Sequence, residues 1–576
     1  MARIRRIQIE NFRSIQSLDW SPAPGFNCLV GPGDSGKSSI LDAIDLCLGA
    51  RRNASFGDTD FYRLDVTRPI QIMATLGDLP DDLINLDSYG DFLRGFDLAN
   101  QTLEDEPRFG IETVLTLTLR VESDLEPLWQ LYSERAQQQG IERNLAWKDR
   151  ARISSARIGS YANINLSWSR NSILNRLTEE RPDLGGALAA AARDARLSFG
   201  AQAGAQLREP LQIVTQTATN LGVPVGASAQ ALLDAHAVSI GDGAIALHNE
   251  QGIPLRSLGT GSSRLLIAGL QRQAAQAASI ALVDEVEFGL EPHRLIRFMD
   301  SLGAKNVPEP LQVFLTTHSP VALRELSGHQ LFVVRSLADH HEVRQAGITD
   351  DVQSTLRADP EAFLAKRVVV CEGASEVGLM RGLDQHWGTL GHPSFLALGG
   401  AYVNVNGGSP DRAYQRGSAL LSLGYQVLVI IDADKPVNAE IQNAFLAAGG
   451  QSATWGQGRA LEDELFASLP DAAVDRLIAL AIEVRERDLV ASHIRDRSQN
   501  TLTLEAIQGF REQGIPYAPP TRAALGLASR IRNNGWFKSV TTYEFIAKTI
   551  IGPELNASHQ SLQATINWIE GWIHAA

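Results

Sequence analysis

The chain has 576 residues, of which 44% are hydrophobic and 20% are charged, and its formal net charge at pH 7 is −14. The composition is ordinary for a globular protein, and the length predicts at least two domains because a single core rarely grows past about 250–300 residues. The acidic balance argues against a general nucleic-acid binder, although a locally basic groove on an acidic protein is compatible with it.

The cysteines and the apolar runs indicate the cellular environment. Cys28, Cys47 and Cys371 lie far apart, which argues against a disulfide framework and fits a reducing cytosol. The N-terminus lacks the apolar segment of a secretion signal, and the longest strongly apolar stretches, such as 427–431, have strand length rather than the roughly 20 residues of a membrane span. We therefore expect a cytoplasmic protein without a membrane partner.

The first fifty residues predict two strands, a glycine-rich loop and a helix. Residues 4–12 alternate apolar and polar side chains, residues 26–30 form a short apolar run, and residues 38–48 have apolar side chains at helical spacing. The loop between them, residues 31–38, reads GPGDSGKS and matches the phosphate-binding pattern GxxxxGK[ST] in full. A strand before the loop and a helix after it are the context that this motif requires.

This loop predicts an ATP site. The backbone N–H groups of such a loop hold phosphates, the lysine reaches the β- and γ-phosphates, and the hydroxyl after it binds Mg²⁺. The predicted nucleotide-binding residues of the loop are Gly31, Gly33, Asp34, Ser35, Gly36, Lys37, Ser38 and Ser39, with Ser38 also a ligand of the nucleotide's Mg²⁺.

The middle of the chain predicts three further segments. Alternating residues between 65 and 125 indicate an antiparallel sheet, and residues 175–235 are rich in Ala, Leu, Arg and Gln. We interpret 175–235 as a helical insertion, either a surface bundle or a dimerisation module. Alternating α/β patterns then run from 236 to 349, residues 350–360 look like a linker, and a second α/β segment covers 364–576.

Two strand ends in the middle segment support the ATP site. An apolar run at 280–283 ends in Asp284 and Glu285, which we expect to bind magnesium and to polarise the attacking water, respectively. The next apolar strand, at 313–315, leads into His318, which is placed to sense a γ-phosphate. An exposed acidic turn and a structural histidine are the alternatives.

Together these motifs resemble ABC-type ATPases, and the opening strand with the sequence ENFRS resembles the start of SMC/RecF-like members. Residues 258–262, LGTGS, lie where those proteins carry their signature loop, of which this chain keeps mainly Gly261. The resemblance implies that ATP is sandwiched between two heads, and hence a homodimer or a higher homo-oligomer. It also implies the first part of the fold class: an α/β ABC-type ATPase head formed by 1–174 and 236–349, interrupted by the helical insertion.

Acidic residues in the second half predict a metal site. The apolar strand at 368–371 ends in Glu372, with Glu376 in the first turn of the following helix, and the strand at 427–431 ends in Asp432-Ala433-Asp434. Mg²⁺ and Mn²⁺ prefer such oxygen ligands. Glu462 and Glu464 are further candidate ligands, for which a charged helix start is the competing interpretation.

A strand-end glutamate followed by a strand-end DxD resembles the Toprim fold, and the whole order of domains resembles the OLD (overcoming lysogenization defect) family of nucleases. Within that family the pattern is similar to the class that includes the nuclease subunit of the Gabija anti-phage system. The resemblance implies two metal ions at this site besides the one bound with ATP, a DNA substrate, and a helicase-like partner protein. It also implies a catalytic lysine, for which Lys538 is the best match and Lys435 and Lys548 are weaker ones.

The predicted function is therefore an ATP-regulated, metal-dependent DNA endonuclease in anti-phage defence or DNA processing. The main alternative is a DNA-repair or sensing ATPase with an inactive Toprim domain. A primase- or topoisomerase-like enzyme and a non-enzymatic interaction protein are further alternatives. Whether ATP licenses or restrains cutting stays open at this point.

Overall fold

The structure is a computed structural model that describes residues 2–49, 54–145, 149–150, 153–158, 174, 185–221, 226–231, 245–273, 279–531 and 533–575. The chain divides into two compact units. The first contains Met1–Asn27 and Ser38–Thr316, and the second contains Cys28–Lys37 and Thr317–Ala576.

The N-terminal part of the chain is mostly strand, as its alternating pattern predicts. Its elements are β1 (Arg3–Phe12), β2 (Ile15–Trp20), β3 (Phe26–Val30), α1 (Lys37–Leu48), β4 (Ile70–Gly77), α2 (Leu86–Tyr89), β5 (Leu93–Asp97), β6 (Thr102–Glu104), β7 (Glu112–Val121), β8 (Pro127–Tyr132), α3 (Glu134–Gln138) and β9 (Ala156–Arg157).

The first unit has an antiparallel region and a parallel region. The antiparallel strands follow the order β6-β5-β7-β4-β1-β2, with β8 also paired to β7, which confirms the antiparallel sheet predicted between 65 and 125. The rest of this unit contains α4 (Gly185–Gln206), α5 (Arg208–Asn220), α6 (Thr260–Gln273), β10 (Ile280–Val283), α7 (Pro292–Leu302) and β11 (Gln312–Thr316). Strand β10 lies between β9 and β11 and is parallel to both.

Helices α4 and α5 lie within the predicted helical insertion. Residues 175–184, 222–225 and 232–235 of that insertion lie outside the described residues. The dimerisation role of the insertion stays a prediction.

The second unit contains a parallel sheet with helices. Its elements are α8 (Pro320–Glu325), β12 (Leu331–Ser336), β13 (His341–Gln345), α9 (Asp350–Ala358), β14 (Arg367–Cys371), α10 (Ala374–Thr389), β15 (Gly400–Asn404), α11 (Asp411–Ser422), β16 (Gln426–Ile431), α12 (Ala439–Ala447), β17 (Gln451–Thr454), α13 (Leu461–Ser468), α14 (Asp471–Arg485), α15 (Arg487–Arg497), α16 (Leu504–Glu512), α17 (Pro519–Ser529), α18 (Val540–Ile546), a π-helical continuation (Ala547–Ile551), α19 (Gly552–Glu554) and α20 (Gln560–His574).

The order of the parallel strands fixes where a site can form. The order is β15-β14-β16-β17, so the chain moves from β14 to one side and then returns to the other side of β14. The loops after β14 and β16 therefore diverge and leave a crevice at the carboxyl edge of the sheet, where parallel α/β folds bind their ligands. Glu372 directly follows β14, and Asp432 directly follows β16.

The prediction of a linker at 350–360 is wrong, because Asp350–Ala358 is a helix. Thr349 caps it by accepting a hydrogen bond from the Val352 N–H, and the side chains of Val352, Thr355 and Leu356 are buried on one face. The acidic start of the segment is the helix's first turn, where negative charge is favourable.

Two glycines bring α10 and α18 into close contact. A Cβ atom on Gly378 would lie 2.4 Å from the carbonyl oxygen of Val540, and one on Gly382 would lie 2.3 Å from that of Glu544. This approach fixes the start of α18, and with it Lys538 in the preceding loop, relative to the start of α10. Among the helices that the structure describes, none combines the length and the apolar character needed to cross a membrane.

Candidate nucleotide and metal sites

The glycine-rich loop has the backbone that its sequence predicts. It leaves the fully buried strand β3, and Gly31, Asp34 and Gly36 have φ angles of 142°, 60° and 86°. A side chain at Gly31 would place its Cβ 2.6 Å from the carbonyl oxygen of Val334, so only glycine fits there. Successive N–H groups in such a turn form an anion-binding concavity.

Lys37 is buried against its own loop. Its Nζ donates to the carbonyl oxygens of Gly31 (3.1 Å) and Pro32 (2.7 Å) and to Ser35 Oγ (3.2 Å). The ammonium group therefore lies over the loop. Gly33 has open space around it, as a residue facing a ligand requires.

In the first unit, Ser38 and Asp284 are brought together although 246 residues separate them. Ser38 Oγ donates to Asp284 Oδ1 at 3.1 Å, and Thr316 Oγ1 donates to the same oxygen at 2.6 Å. The Thr316 hydroxyl also accepts from the Glu285 N–H at 2.8 Å, which fixes the end of β10 against the end of β11. A hydroxyl and a carboxylate in contact are a suitable pair of oxygen ligands for Mg²⁺.

The other residues predicted to contact a nucleotide differ in burial and in their neighbours. Glu285 is exposed with a φ of 46°, and Gly261 is buried, where an added Cβ would lie 2.8 Å from the Gly289 carbonyl oxygen. Ser39 Oγ lies 3.2 Å from Ser14 Oγ. His318 is exposed just after β11, in the second unit.

Arg157 is a residue of this region that the sequence did not indicate. Its guanidinium pairs with Asp42 and lies 3.7 Å from Asp284 Oδ2. Burial alone would lower the pKa of Arg157, but Asp42, Asp45 and Asp284 raise it above its ordinary value. No local pattern marks such a residue, because its partners are more than one hundred positions away.

The acidic strand ends of the second unit converge on one cavity of about 410 Å³. Five acidic and three basic side chains line it among the described residues, which leaves a formal excess of two negative charges. The acidic ones are Glu372, Glu376, Asp432, Asp434 and Glu462, and the basic ones are Lys435, Arg530 and Lys538.

Backbone contacts hold the two strand ends together at this cavity. The Asp432 N–H donates to Glu372 Oε2 at 3.1 Å, and the Leu461 N–H donates to Asp432 Oδ1 at 2.9 Å. Glu376 accepts from the Gly373 N–H at 2.8 Å, so it also caps the start of α10. The sheet register thus gathers acids from three separate parts of the sequence.

Each basic side chain in the cavity pairs with an acid that lines it. Lys435 Nζ lies 2.9 Å from Glu372 Oε1, Lys538 Nζ lies 2.9 Å from Glu462 Oε1, and Arg530 Nη1 lies 2.8 Å from Asp434 Oδ2. Arg530 also reaches Asp463, with Nη2 3.1 Å from Oδ2. The guanidinium therefore bridges an acid that lines the cavity and one that does not.

The carboxyl groups that line the cavity repel one another. Burial, together with Glu376 and Glu462, raises the pKa of Asp432, and burial together with Glu462 raises the pKa of Glu376. A bound cation would relieve this repulsion.

One oxygen of the Asp434 carboxylate favours a metal-binding role. Asp434 Oδ1 is buried and accepts no hydrogen bond from any described residue. A buried acceptor without a partner is unusual, and metal ligation is one way of satisfying it. The oxygen-rich donor set therefore fits a hard divalent cation.

Glu464 is the one predicted ligand that the structure does not bring to this cavity. It accepts from Ser468 Oγ (2.7 Å), from Arg459 Nη1 (2.9 Å) and from Ser561 Oγ (3.1 Å). Burial alone would raise the pKa of Glu464, but these hydrogen bonds lower it below its ordinary value. Its role here is to join α13 to its neighbours.

The candidate lysines are distinguished by the same geometry. Lys538 lines the cavity, Lys435 also does so, and Lys548 is exposed on the π-helical segment away from the lining residues. The sequence offered a signal for Lys435, which directly follows the DxD motif. It offered none for Arg530 at the end of α17, or for Asn406 and Gly407 in the loop after β15, which complete the wall.

Comparisons with known proteins give short matches to curated relatives and a longer match to a protein family. A 45-residue segment is 49% identical to the DNA replication and repair protein RecF of Chlorobium luteolum and covers 8% of this chain and 12% of that protein. A 73-residue segment is 38% identical to the OLD nuclease of Thermus scotoductus and covers 12% of this chain and 13% of that protein. This chain thus spans about an eighth of the length of these relatives.

Among solved structures, an SMC head bound to the C-terminal winged-helix domain of ScpA aligns with 59% of this chain and 96% of its own, at 15% identity and a TM-score of 0.34. A TM-score of this size does not establish a shared fold.

The long match is to a family profile. Residues 26–324 match the family described as "AAA domain, putative AbiEii toxin, Type IV TA system". The matched region contains the glycine-rich loop, Asp284, Glu285 and His318. Because the match spans more than half of the 576 residues, the chain belongs to this family of AAA-domain ATPases.

Proposed function

We propose that this chain is an ATP-regulated, divalent-metal-dependent DNA endonuclease whose second unit contains a Toprim-type nuclease site. The observation that carries the proposal is the cavity at the carboxyl edge of the parallel sheet. Five acidic side chains line it, and the buried Asp434 Oδ1 accepts no hydrogen bond from the described residues.

The proposed metal ligands are the acidic residues of the cavity: Glu372, Glu376, Asp432, Asp434 and Glu462. When bound there, a pair of divalent cations, Mg²⁺ or Mn²⁺, would supply Lewis-acid stabilisation of the charge that develops during phosphodiester hydrolysis. Glu464 is not part of this proposal, since its oxygens already accept three side-chain hydrogen bonds.

The basic residues of the cavity suit a phosphodiester substrate. Lys538 is half exposed while its partner Glu462 is buried, so the ammonium group sits at the mouth of the acidic cluster. There it can donate to a phosphate oxygen and stabilise negative charge on it. Arg530 holds Asp434 at a fixed position through a 2.8 Å contact and acts as a positioning residue.

DNA is the proposed substrate because the short matches are to proteins described as a DNA replication and repair protein and an OLD nuclease. ATP binding by the AAA-domain region would regulate cutting, with ABC-type pairing of two heads in a homodimer. Light scattering of the purified chain tests this dimer. A helicase-like partner and a role in anti-phage defence belong to the same proposal.

The proposal is tested by cleavage of supercoiled plasmid in Mg²⁺ or Mn²⁺. Asp434→Asn removes a proposed ligand, and Asp463→Asn is its matched control because both carboxylates bind Arg530 but only Asp434 lines the cavity. Lys37→Ala, assayed with and without ATP, reports on the nucleotide.

We expect the wild type and Asp463→Asn to cut, and the cleavage rate of Asp434→Asn to fall by at least about 100-fold. Mutation of a residue that only hydrogen-bonds to a metal ligand typically costs about 10–100-fold in activity, and loss of a ligand itself should cost more. Equal rates for Asp434→Asn and the wild type would refute the assignment. If ATP changes the wild-type rate but not that of Lys37→Ala, regulation through the glycine-rich loop is supported.

A further inference from the structure

Three metal-binding side chains converge at a second place in the second unit. His392, Glu570 and His574 each offer one ligand atom, and these atoms all lie within 4.8 Å of one another. Glu570 and His574 lie one turn apart on the same face of α20, and His392 lies in the loop between α10 and β15. His392 Nε2 and Glu570 Oε1 are already 3.9 Å apart.

This cluster is separate from the carboxylate cavity. Helix α10 begins beside Glu372 and runs for 16 residues before the loop of His392, a length of about 24 Å at 1.5 Å per residue. At that end of the sheet, Arg367 in the first position of β14 donates to the backbone carbonyls of Trp572 and Ile573, at 3.3 and 3.1 Å. The cluster therefore lies at the opposite edge of the sheet, and nothing about it depends on the proposed nuclease function.

The donor set selects a different class of metal from that of the cavity. Two imidazoles and one carboxylate suit Zn²⁺ and similar transition metals, whereas Mg²⁺ prefers oxygen ligands alone. Bond lengths of about 2.0–2.1 Å require ligand atoms about 3.4 Å apart in a tetrahedral site. The atoms must therefore move together by roughly 1 Å, which rotation of the half-exposed His392 side chain can supply.

The surroundings of His574 already match those of a metal-bound histidine. Its Nδ1 lies 3.1 Å from the Glu570 carbonyl oxygen and its Nε2 lies 3.1 Å from that of Pro393. The nitrogen that binds the metal must turn from its carbonyl oxygen, while the N–H of the other nitrogen keeps a carbonyl acceptor, as is usual for metal-ligating histidines. The edge of the Trp387 ring, with its centroid 5.7 Å away, supports the imidazole on another side.

We propose that His392, Glu570 and His574 bind one transition-metal ion of the Zn²⁺ class. The ion joins the C-terminal helix α20 to the loop between α10 and β15. The exposure of His392 and Glu570, 46% and 25%, leaves the site open to solvent and a coordination position free for water. Because the ion links α20 to this loop, its role is to stabilise the packing of α20.

The test measures Zn²⁺ binding to the full-length chain by isothermal titration calorimetry in excess Mg²⁺, which occupies oxygen-only sites. The variants are His392→Ala and His574→Ala. His340→Ala is the matched control, because His340 is an exposed histidine of the same unit that pairs with Asp339 instead. Co²⁺ titration, followed by visible absorption, and protection from diethyl pyrocarbonate, mapped by mass spectrometry, locate the ligands.

We expect the wild type to bind one Zn²⁺ per chain. The Zn²⁺ affinity should fall by at least about 100-fold in both ligand variants and should stay at the wild-type value in His340→Ala. Zn²⁺ should protect His392 and His574, and no other pair, from modification. Unchanged affinity in His392→Ala would overturn the proposal. His392 lies in an exposed loop, and thermal unfolding of His392→Ala in EDTA that matches the wild type excludes misfolding as the cause of a loss of binding.

Discussion

Replacing Lys538 with methionine probes how the negative charge of the acidic cavity is balanced. Lys538 Nζ lies 2.9 Å from Glu462 Oε1, and the Glu462 side chain is only 2% exposed while that of Lys538 is 49% exposed. The substitution keeps most of the side-chain volume but leaves a buried carboxylate without its cation. We expect it to destabilise the second unit when no divalent cation is present.

The magnitude follows from the burial of the two partners. Breaking a fully buried ion pair typically costs about 3–5 kcal/mol, because one charge is left uncompensated. Water screens the exposed half of Lys538, so we expect about 1.5–2.5 kcal/mol here. For a domain of this size that corresponds to a lowering of Tm by roughly 3–10 °C.

The assay is thermal unfolding of the wild type, Lys538→Met, and Lys538→Met combined with Glu462→Gln, each in EDTA and in Mn²⁺. The double variant removes the buried charge together with its partner, so it should be more stable in EDTA than Lys538→Met alone. Mn²⁺ should restore most of the stability that Lys538→Met loses, because a bound cation replaces the missing positive charge.

Two results would refute this reasoning. If Lys538→Met loses the same Tm in EDTA and in Mn²⁺, the cavity does not take up a cation beside Glu462. If the double variant is no more stable than Lys538→Met, the loss arises from packing and not from the uncompensated carboxylate.

Three further predictions concern other parts of the chain. Gly382→Ala should destabilise the second unit by about 1–3 kcal/mol because its Cβ would lie 2.3 Å from the Glu544 carbonyl oxygen; Gly388→Ala, on the same helix with open space around it, should instead stabilise it by up to about 1 kcal/mol. Lys37→Ala should abolish binding of a fluorescent ATP analogue and leave Mn²⁺ binding in the acidic cavity unchanged. Burial lowers the pKa of His341, so stability should fall as the pH drops below about 6.5, and His341→Leu should flatten that fall in pH-dependent unfolding.

Each of these has a clear contrary outcome. Equal effects of Gly382→Ala and Gly388→Ala would mean that the contact between α10 and α18 can relax. Undiminished ATP binding by Lys37→Ala would remove the glycine-rich loop from the nucleotide site. Neither ring nitrogen of His341 has a hydrogen-bond partner among the described residues, so nothing there offsets the cost of its protonation. An unchanged pH profile in His341→Leu would assign the acid sensitivity to other groups.

Local chemistry explains which parts of the structure the sequence could predict. A glycine-rich loop between a strand and a helix is a continuous segment, so its residues and their backbone conformation could be inferred together. The acids at the ends of β14 and β16 were predictable because parallel neighbours end at one edge of a sheet. The register that pairs Cys371 with Ile430 places Glu372 one position from Asp432, whose N–H reaches Glu372 Oε2.

Long-range packing explains what the sequence did not indicate. Arg530 reaches Asp434 across 96 positions, and Glu464 points away from the cavity towards Ser561 across 97 positions. Neither relation leaves a local pattern, since Glu462 and Glu464 look equivalent in sequence. Likewise, the sequence of Asp350–Ala358 does not predict a helix, because the buried face after its acidic start has only three residues.

We infer that the acidic cavity of the second unit is a divalent-metal centre. The most direct measurement is the anomalous X-ray signal of Mn²⁺ in crystals of the wild type and of Asp434→Asn. We predict Mn²⁺ peaks within bonding distance of Asp434 and of its neighbours Glu372, Asp432 and Glu462 in the wild type, with the peak at Asp434 lost in the variant. Mn²⁺ bound elsewhere in the chain, with no peak among these carboxylates, would contradict the account.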